Sequence, residues 1–356
     1  MRLIPKSAIE KAAPLLSVAS VIYGWGVKLR TMLYQQGILK SRKLPCLVIS
    51  IGNITAGGTG KTPMTIYLTT LLKKLGYTVA IVSRGYRGKA EKQGGIVSNG
   101  DEILMTPEES GDEPFMMAQI LKDVPVLVGG DRFASGMRAI QQFKPDVIVL
   151  DDAFQHLRLH RDINLVLLDS RNPFGNGHLL PKGRLREPLS ALDRADAFIL
   201  TRSDLTPRTP SLKGQGEPPL SVSERGRGRG CPVFRSVHVP RIRKNEINRR
   251  RVFAFSGIAD NHDFLQTVRT LGGEIVGFKG FADHYPYSLR DLEDISVSAK
   301  DVQAEMLVTT EKDHARIADN IRALTPDLAV IGIDISFKSD APEFEAFIQR
   351  RIAQYI

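Results

Sequence analysis

Residues 44–51 are a short run rich in Leu, Val and Ile, and Gly52-Asn53-Ile54 leads from them into Thr55-Ala56-Gly57-Gly58-Thr59-Gly60-Lys61-Thr62. Apolar residues at helical spacing follow (Ile66, Leu68, Leu71, Leu72, Leu75), with Gly76 as a stop. A buried strand, a glycine-rich turn and a helix in that order leave few folds open. Glycines let successive backbone N–H groups converge on an anion, and the helix N-terminus behind them adds a favourable dipole. The generic phosphate loop is G-x-x-x-x-G-K-[ST]; Thr55 stands at its first glycine and the remainder is kept. In such a loop Lys61 neutralises β- and γ-phosphate charge and the Thr62 hydroxyl ligates Mg²⁺. The eight residues Thr55 to Thr62 are therefore expected to cradle the phosphates of ATP.

Residues 77–83 supply the next strand and close a βαβ unit, which argues for a doubly wound, P-loop NTPase-like α/β sheet. Residues 125–129, 146–150, 163–169 and 197–201 continue the strands, with a helix over 132–143. From 207 to 231 Pro, Gly, Ser and Arg dominate, including Arg225-Gly226-Arg227-Gly228-Arg229-Gly230, and little there could form a core. Pattern resumes with strands at 252–256, 274–278, 306–310 and 328–333 and helices at 263–271 and 342–352. The reading divides the chain into an N-terminal helical segment (1–43), a nucleotide-binding domain (44–203), a linker or insertion (204–250) and a second, smaller α/β domain (251–356).

With 356 residues the chain can bury two cores, and 42% hydrophobic with 25% charged residues excludes both wholesale disorder and a polytopic membrane protein. Cys46 and Cys231 are too few for a disulfide scaffold or a four-cysteine metal site, and they fit a reducing compartment. A net charge of +10 calls for an anionic partner. Nucleic acid is not expected, because neither an RNA-recognition aromatic signature nor zinc-finger spacing is present. Residues 12–27 favour a membrane surface instead. This run is uncharged, contains Pro14 and Trp25, and is flanked by Arg2, Lys6, Lys11, Lys28 and Arg30. It is shorter than the roughly 20 apolar residues that span a bilayer, and it leads into a nucleotide-binding strand, which argues against export. A helix lying in the headgroup region of an anionic leaflet is favoured over one packed only on the protein's own core.

Val147-Ile148-Val149-Leu150-Asp151-Asp152 delivers two carboxylates to the C-terminal end of a strand, where open α/β sheets place their ligands. This looks like a Walker B element, with Asp151 favoured for the Mg²⁺ side and Asp152 as the alternative. Charged or polar residues also gather in loops at Ser83-Arg84-Gly85-Tyr86, Gly111-Asp112-Glu113-Pro114, Asp152-Ala153-Phe154-Gln155-His156 and Leu185-Arg186-Glu187-Pro188. Arg186 could stabilise a transferring phosphoryl group. Asp112 taken alone reads as a helix cap, and His284, in Asp283-His284-Tyr285, as a structural histidine.

Taken together with Asp131-Arg132, Phe255-Ser256-Gly257 and Thr309-Thr310-Glu311-Lys312-Asp313, these segments make the chain resemble the tetraacyldisaccharide 4′-kinase family over nearly its whole length. The substituted first loop glycine is a trait of that family. The resemblance implies an ATP- and Mg²⁺-dependent lipid kinase, peripheral on the cytoplasmic face of the bacterial inner membrane, which phosphorylates the 4′-hydroxyl of a tetraacyldisaccharide 1-phosphate to give lipid IVA. It implies no protein partner. It makes Asp112 the catalytic base, paired with His284 from the second domain. Thr62 with Asp151 and Asp152 would serve Mg²⁺, and Lys61 and Arg186 the phosphates. Ala153 departs from the usual glycine, and Lys182 and Arg184 make their segment more basic than is usual. The rival reading is a membrane-associated P-loop switch or partitioning ATPase, which leaves His284 and the second domain unexplained.

Overall fold

A computed structural model describes residues 6–203, 230–317, 321 and 324–355, with side chains from residue 14 onward. Helix α1 (Lys6–Gln35) precedes β1 (Leu47–Asn53), which is buried at every position. The chain continues through α2 (Lys61–Lys74), β2 (Val79–Ser83), β3 (Gly95–Ser98), α3 (Pro107–Ser110), α4 (Asp112–Ile120), β4 (Val126–Val128), α5 (Arg132–Phe143) and β5 (Val147–Leu150). Next come β6 (Ile163–Asp169), β7 (Ala197–Thr201) and β8 (Val233–Arg235). These strands form one sheet in the order β3-β4-β2-β5-β1-β6-β7-β8. All its pairs are parallel except β3 with β4. Near-continuous Val, Ile and Leu in β1, β5 and β6 follow from burial on both faces, which helices must then cover. Leu68 and Leu72 of α2 cover one face, and α5 lies over the other through Ala139 and Ile140.

The second sheet contains β9 (Val237–Lys244), β10 (Arg251–Ser256), β11 (Glu274–Gly280), β12 (Met306–Thr310) and β13 (Leu328–Ser336), in the order β11-β10-β12-β13-β9. Helices α6 (Asn261–Thr270) and α7 (Leu289–Asp301) cover its two faces, through Phe264 and Val268 and through Leu292, Ile295 and Ala299. The short α8 (Glu311–Arg316) and α9 (Ala341–Ile352) complete the chain. The α/β class and the two sheets agree with the sequence reading.

Two of the expected boundaries need correction. Residues 233–244, expected in the linker, form β8 and β9, separated by Ser236 alone, so the chain steps from the edge of one sheet to the edge of the other in a single residue. Both are edge strands, where Arg residues and Pro240 are tolerated because one side of the ladder needs no partner. The Arg-Gly tract through Arg229 lies outside the described residues. Helix α9, assigned to the second domain, packs instead on the first sheet: Phe344, Phe347, Ile348 and Ile352 share a core with Leu47, Ile49, Met64 and Leu68. Periodicity marks the apolar face of a helix without naming the sheet that covers it.

Candidate active site

The loop after β1 carries its anion-binding shape in the backbone. Gly57 and Gly60 have φ of 128° and 84°, and a Cβ on Gly60 would stand 2.6 Å from Nε2 of His238 on β9. Only glycine fits both the left-handed conformation and that approach. Asn53 donates from Nδ2 to the Thr59 hydroxyl at 2.8 Å, and Thr55 bridges to Leu185, so the segment carrying Arg184 and Arg186 runs antiparallel beside the loop. The Ala56 N–H donates to the Arg184 carbonyl, and the Arg186 N–H to the Ile54 carbonyl, both at 2.7 Å. Pro63 lies in the first turn of α2, where no intrahelical N–H bond is lost. Thr62 is buried there.

Asp151 and Asp152, at the end of β5, sit in opposite electrostatic settings. Asp152 has φ of 49°. It accepts from Nη1 of Arg186 at 2.9 and 3.1 Å and lies 3.8 Å from Lys61 Nζ. Burial opposes its ionisation, but Lys61 and Arg186 outweigh burial and hold its carboxyl below the usual range. Burial also draws the Lys61 ammonium down against the pull of Asp152. Asp151 accepts a 2.9 Å bond from Thr65 Oγ1. Burial, reinforced by Asp152, pushes its pKa up to about 6.

The third group comes from both sheets. Gly111, with φ of 86°, turns the chain so that Asp112 opens α4. His284, at φ of 59° in the loop after β11, meets Asp112 across the cleft, with Nδ1 2.8 Å from Oδ2. Burial raises the Asp112 pKa, but the bond to His284 and the charge of Arg316 outweigh it and leave the carboxyl below its usual value. An ionised carboxylate only accepts, so Nδ1–H of His284 donates. Arg316 on α8 donates from Nε to the same Oδ2 at 2.7 Å, and from Nη1 to the Gly257 carbonyl and Asp313 Oδ1, each at 2.8 Å. Both bonds fall on one oxygen, and Oδ1 of Asp112 has no hydrogen-bond partner among the described residues. Beside this group Lys312 donates to Glu113 at 2.7 Å, again across the cleft. The groups are neighbours: Glu113 helps to raise the pKa of Asp151, and Lys312 helps to lower that of Lys61.

The phosphate loop and Asp151-Asp152 thus lie at the carboxyl ends of β1 and β5, and Asp112 beside them meets His284 from the loop after β11 of the second sheet. The reading missed Arg316 and the Glu113–Lys312 pair. Their signal was within reach, since Lys312 belongs to the singled-out run and Arg316 follows Asp313 by three residues, one helical turn on. It missed His238 as well, whose pKa burial lowers to about 4.

Residues 12–353 match the model of the family described as tetraacyldisaccharide-1-P 4′-kinase. The chain belongs to that family. Among relatives of the tetraacyldisaccharide 4′-kinase family, the Desulfatibacillum aliphaticivorans protein is 42% identical, the match covering 99% of this chain and 96% of that one. The Syntrophus aciditrophicus protein is 46% identical, covering 88% and 87% respectively. The crystal structure of the Aquifex aeolicus family member LpxK, an "apo" form in complex with ATP, is 32% identical with a TM-score of 0.73, covering 96% of this chain and 99% of that one.

In this kinase fold the buried Asp151 carries a stability penalty that can be read out. Its folded pKa of about 6 exceeds the ordinary 3.8 by about two pH units, worth at most about 3 kcal/mol. For an acid whose pKa is raised on folding, the stabilisation is full below about pH 3.8 and is lost as the pH rises through about 6. In buffer without divalent cations, Asp151→Asn should therefore melt above the wild type at pH 8, with the gap closing toward pH 4. A melting point at or below wild type at pH 8 would refute the uncompensated charge. The Asn side chain keeps the acceptor for Thr65, so the comparison isolates charge.

Proposed function

We propose that this chain transfers the γ-phosphoryl group of ATP to the 4′-hydroxyl of a tetraacyldisaccharide 1-phosphate, the lipid A precursor, giving lipid IVA. The observation that carries this reading is the Asp112–His284–Arg316 cluster, assembled from both sheets beside the phosphate loop. A hydrolytic switch needs no such acceptor-side carboxylate. Membership of the family supports the kinase over the switch ATPase.

In this reading the acceptor hydroxyl approaches the free Oδ1 of Asp112, which takes its proton as the new P–O bond forms in line with departure of ADP. His284 and Arg316 hold the other carboxylate oxygen and fix its direction. Because they also depress the pKa, Asp112 is a weak base, suited to a loose transition state in which the proton leaves late. Lys61 and Arg186 match the charge on the phosphoryl oxygens, and the Arg186 bond to Asp152 aims the guanidinium before nucleotide arrives.

The donor set fits Mg²⁺. Thr62, Asp151 and Asp152 offer only hard oxygen atoms, as that ion requires. Among the described residues no three His, Cys, Asp or Glu side chains form a cage of their own, so nucleotide phosphates would complete the shell. Asp151 is the preferred ligand, because Asp152 is already matched by Lys61 and Arg186. Bound there, the ion would neutralise phosphate charge.

Among the described residues no helix is long and apolar enough to cross a membrane. Helix α1 nevertheless exposes Leu15, Val18, Ile22 and Trp25, two of them by three-quarters of their surface. This face, with its basic flanks, supports docking on an anionic leaflet where an acylated substrate resides.

The test is phosphate transfer from γ-labelled ATP with Mg²⁺ to a detergent-dispersed tetraacyldisaccharide 1-phosphate, beside an acceptor-free control. Labelled lipid and acceptor-dependent ATP consumption are expected. Hydrolysis without labelled lipid would overturn the kinase in favour of the switch ATPase. Sedimentation with anionic vesicles checks the docking face, and an unbound protein would remove it.

A further inference from the structure

The face of α1 opposite its exposed apolar side is attached to the catalytic machinery. At about 3.6 residues per turn, Ser20, Tyr23, Gly24, Val27 and Arg30 share one side of the helix, and Leu15, Val18, Ile22 and Trp25 lie on the other. Ser20 Oγ donates to the Leu179 carbonyl at 2.8 Å, Tyr23 OH to the Arg186 carbonyl at 2.8 Å, and Arg30 Nη2 to the Gln155 carbonyl at 2.9 Å. A Cβ on Gly24 would stand 2.7 Å from Leu179 Cδ1, so the helix lies directly on the segment leading to Arg186.

Two of these three acceptors belong to one network. Arg186 donates from Nη1 to both Asp152 oxygens and to Gln155 Oε1 at 3.3 Å. Gln155 Nε2 in turn donates to the Asn53 carbonyl at 2.8 Å, where β1 enters the phosphate loop, and to Glu187 at 3.2 Å. The side chains of Arg186 and Gln155 thus hold each other on the site side, while Tyr23 and Arg30 hold their main chains from the helix side.

We propose that Tyr23 and Arg30 are positioning residues for phosphoryl transfer, fixing the main chain of Arg186 and Gln155 so that the Arg186 guanidinium stays registered against Asp152. This rests on the kinase reading and on the role of Arg186 at the phosphates. Partial burial, with the charge of Glu187, raises the Tyr23 pKa, so the phenol keeps its proton and remains a donor. The bond is solvent-exposed, so water can satisfy the Arg186 carbonyl once the phenol oxygen is removed, which loosens the register without unfolding the segment. Small displacements of an oriented catalytic group are felt mainly in turnover.

Tyr23→Phe tests this, because it keeps the ring and deletes one hydrogen bond. One net hydrogen bond corresponds to a fall in kcat of about two- to tenfold. KM for ATP, the melting temperature and sedimentation with anionic vesicles are expected to stay at wild-type values. In an Arg186→Ala background the same change should have no further effect, since its target is gone. Wild-type kcat in Tyr23→Phe, an equal fall in the Arg186→Ala background, or a loss tracking vesicle binding would each overturn the proposal. The last would make the helix an anchor and nothing more. Failure of the underlying reading looks different: either the wild type labels no lipid, or Arg186→Ala itself transfers phosphate normally.

Discussion

Asp112→Asn should lower kcat by roughly 10²- to 10⁴-fold, the range spanned by a positioned general base. KM for ATP should change little, because the phosphate loop is untouched. The substitution keeps the shape and a hydrogen-bond acceptor for His284 and Arg316 but removes proton affinity from Oδ1. The fold should survive it: Arg316 retains Asp313 and the Gly257 carbonyl. His284→Ala should cost less than Asp112→Asn, since Arg316 still fixes the same carboxylate oxygen at 2.7 Å. The two changes together should be no worse than Asp112→Asn alone, as expected for residues acting as one unit. Single-turnover transfer to the lipid acceptor measures all three. An Asp112→Asn enzyme within a few-fold of wild type would mean that proton removal is not assisted here, and that the cluster serves only to close the cleft.

The largest stability effect is expected at Phe344 on α9. Its ring is fully buried, stacked on Phe337 at 4.2 Å with an interplanar angle of 9°, and meets Phe234 edge-on at 5.2 Å. Phe344→Ala should destabilise the protein by about 3–5 kcal/mol, through lost transfer energy and the cavity left behind. For a unit of this size that corresponds to a fall in melting temperature of roughly 10 °C. Hydrogen exchange should place the loss in β1 and β6, whose Ile49 and Leu165 share the Phe344 core, and spare β10 and β12. A change below about 1 kcal/mol, or one confined to the second sheet, would mean that α9 does not brace the nucleotide-binding layer.

The features legible in the sequence are those whose physics is local. The phosphate loop could be read because strand, glycines, Lys61 and helix are contiguous, and Asp151-Asp152 because an apolar run leads straight into it. The pairing of Asp112 with His284 joins residues 172 positions apart, and no spacing rule predicts it; only the family resemblance brought them together. The positive φ at Asp152 and His284 is imposed by tertiary contacts and leaves no mark in composition. Strand β9 does not stand out from the basic linker because its side chains are at most half-buried, so the strong apolar signal of a central strand is missing. Helix α7 is hard to read from sequence despite its Ser288 capping box and the apolar Leu292, Ile295 and Ala299, because Asp and Glu crowd its other face.

The return of α9 to the first sheet also orders events at the ribosome. Most strands of that sheet emerge within the first 203 residues, yet Phe344, Phe347, Ile348 and Ile352 follow the strands of the second sheet. The nascent nucleotide-binding layer therefore waits with the core of Leu47, Ile49 and Met64 closed on one side by α2 but still open toward the place of α9 while the second sheet is translated. That side of the core is closed only when α9 clears the exit tunnel.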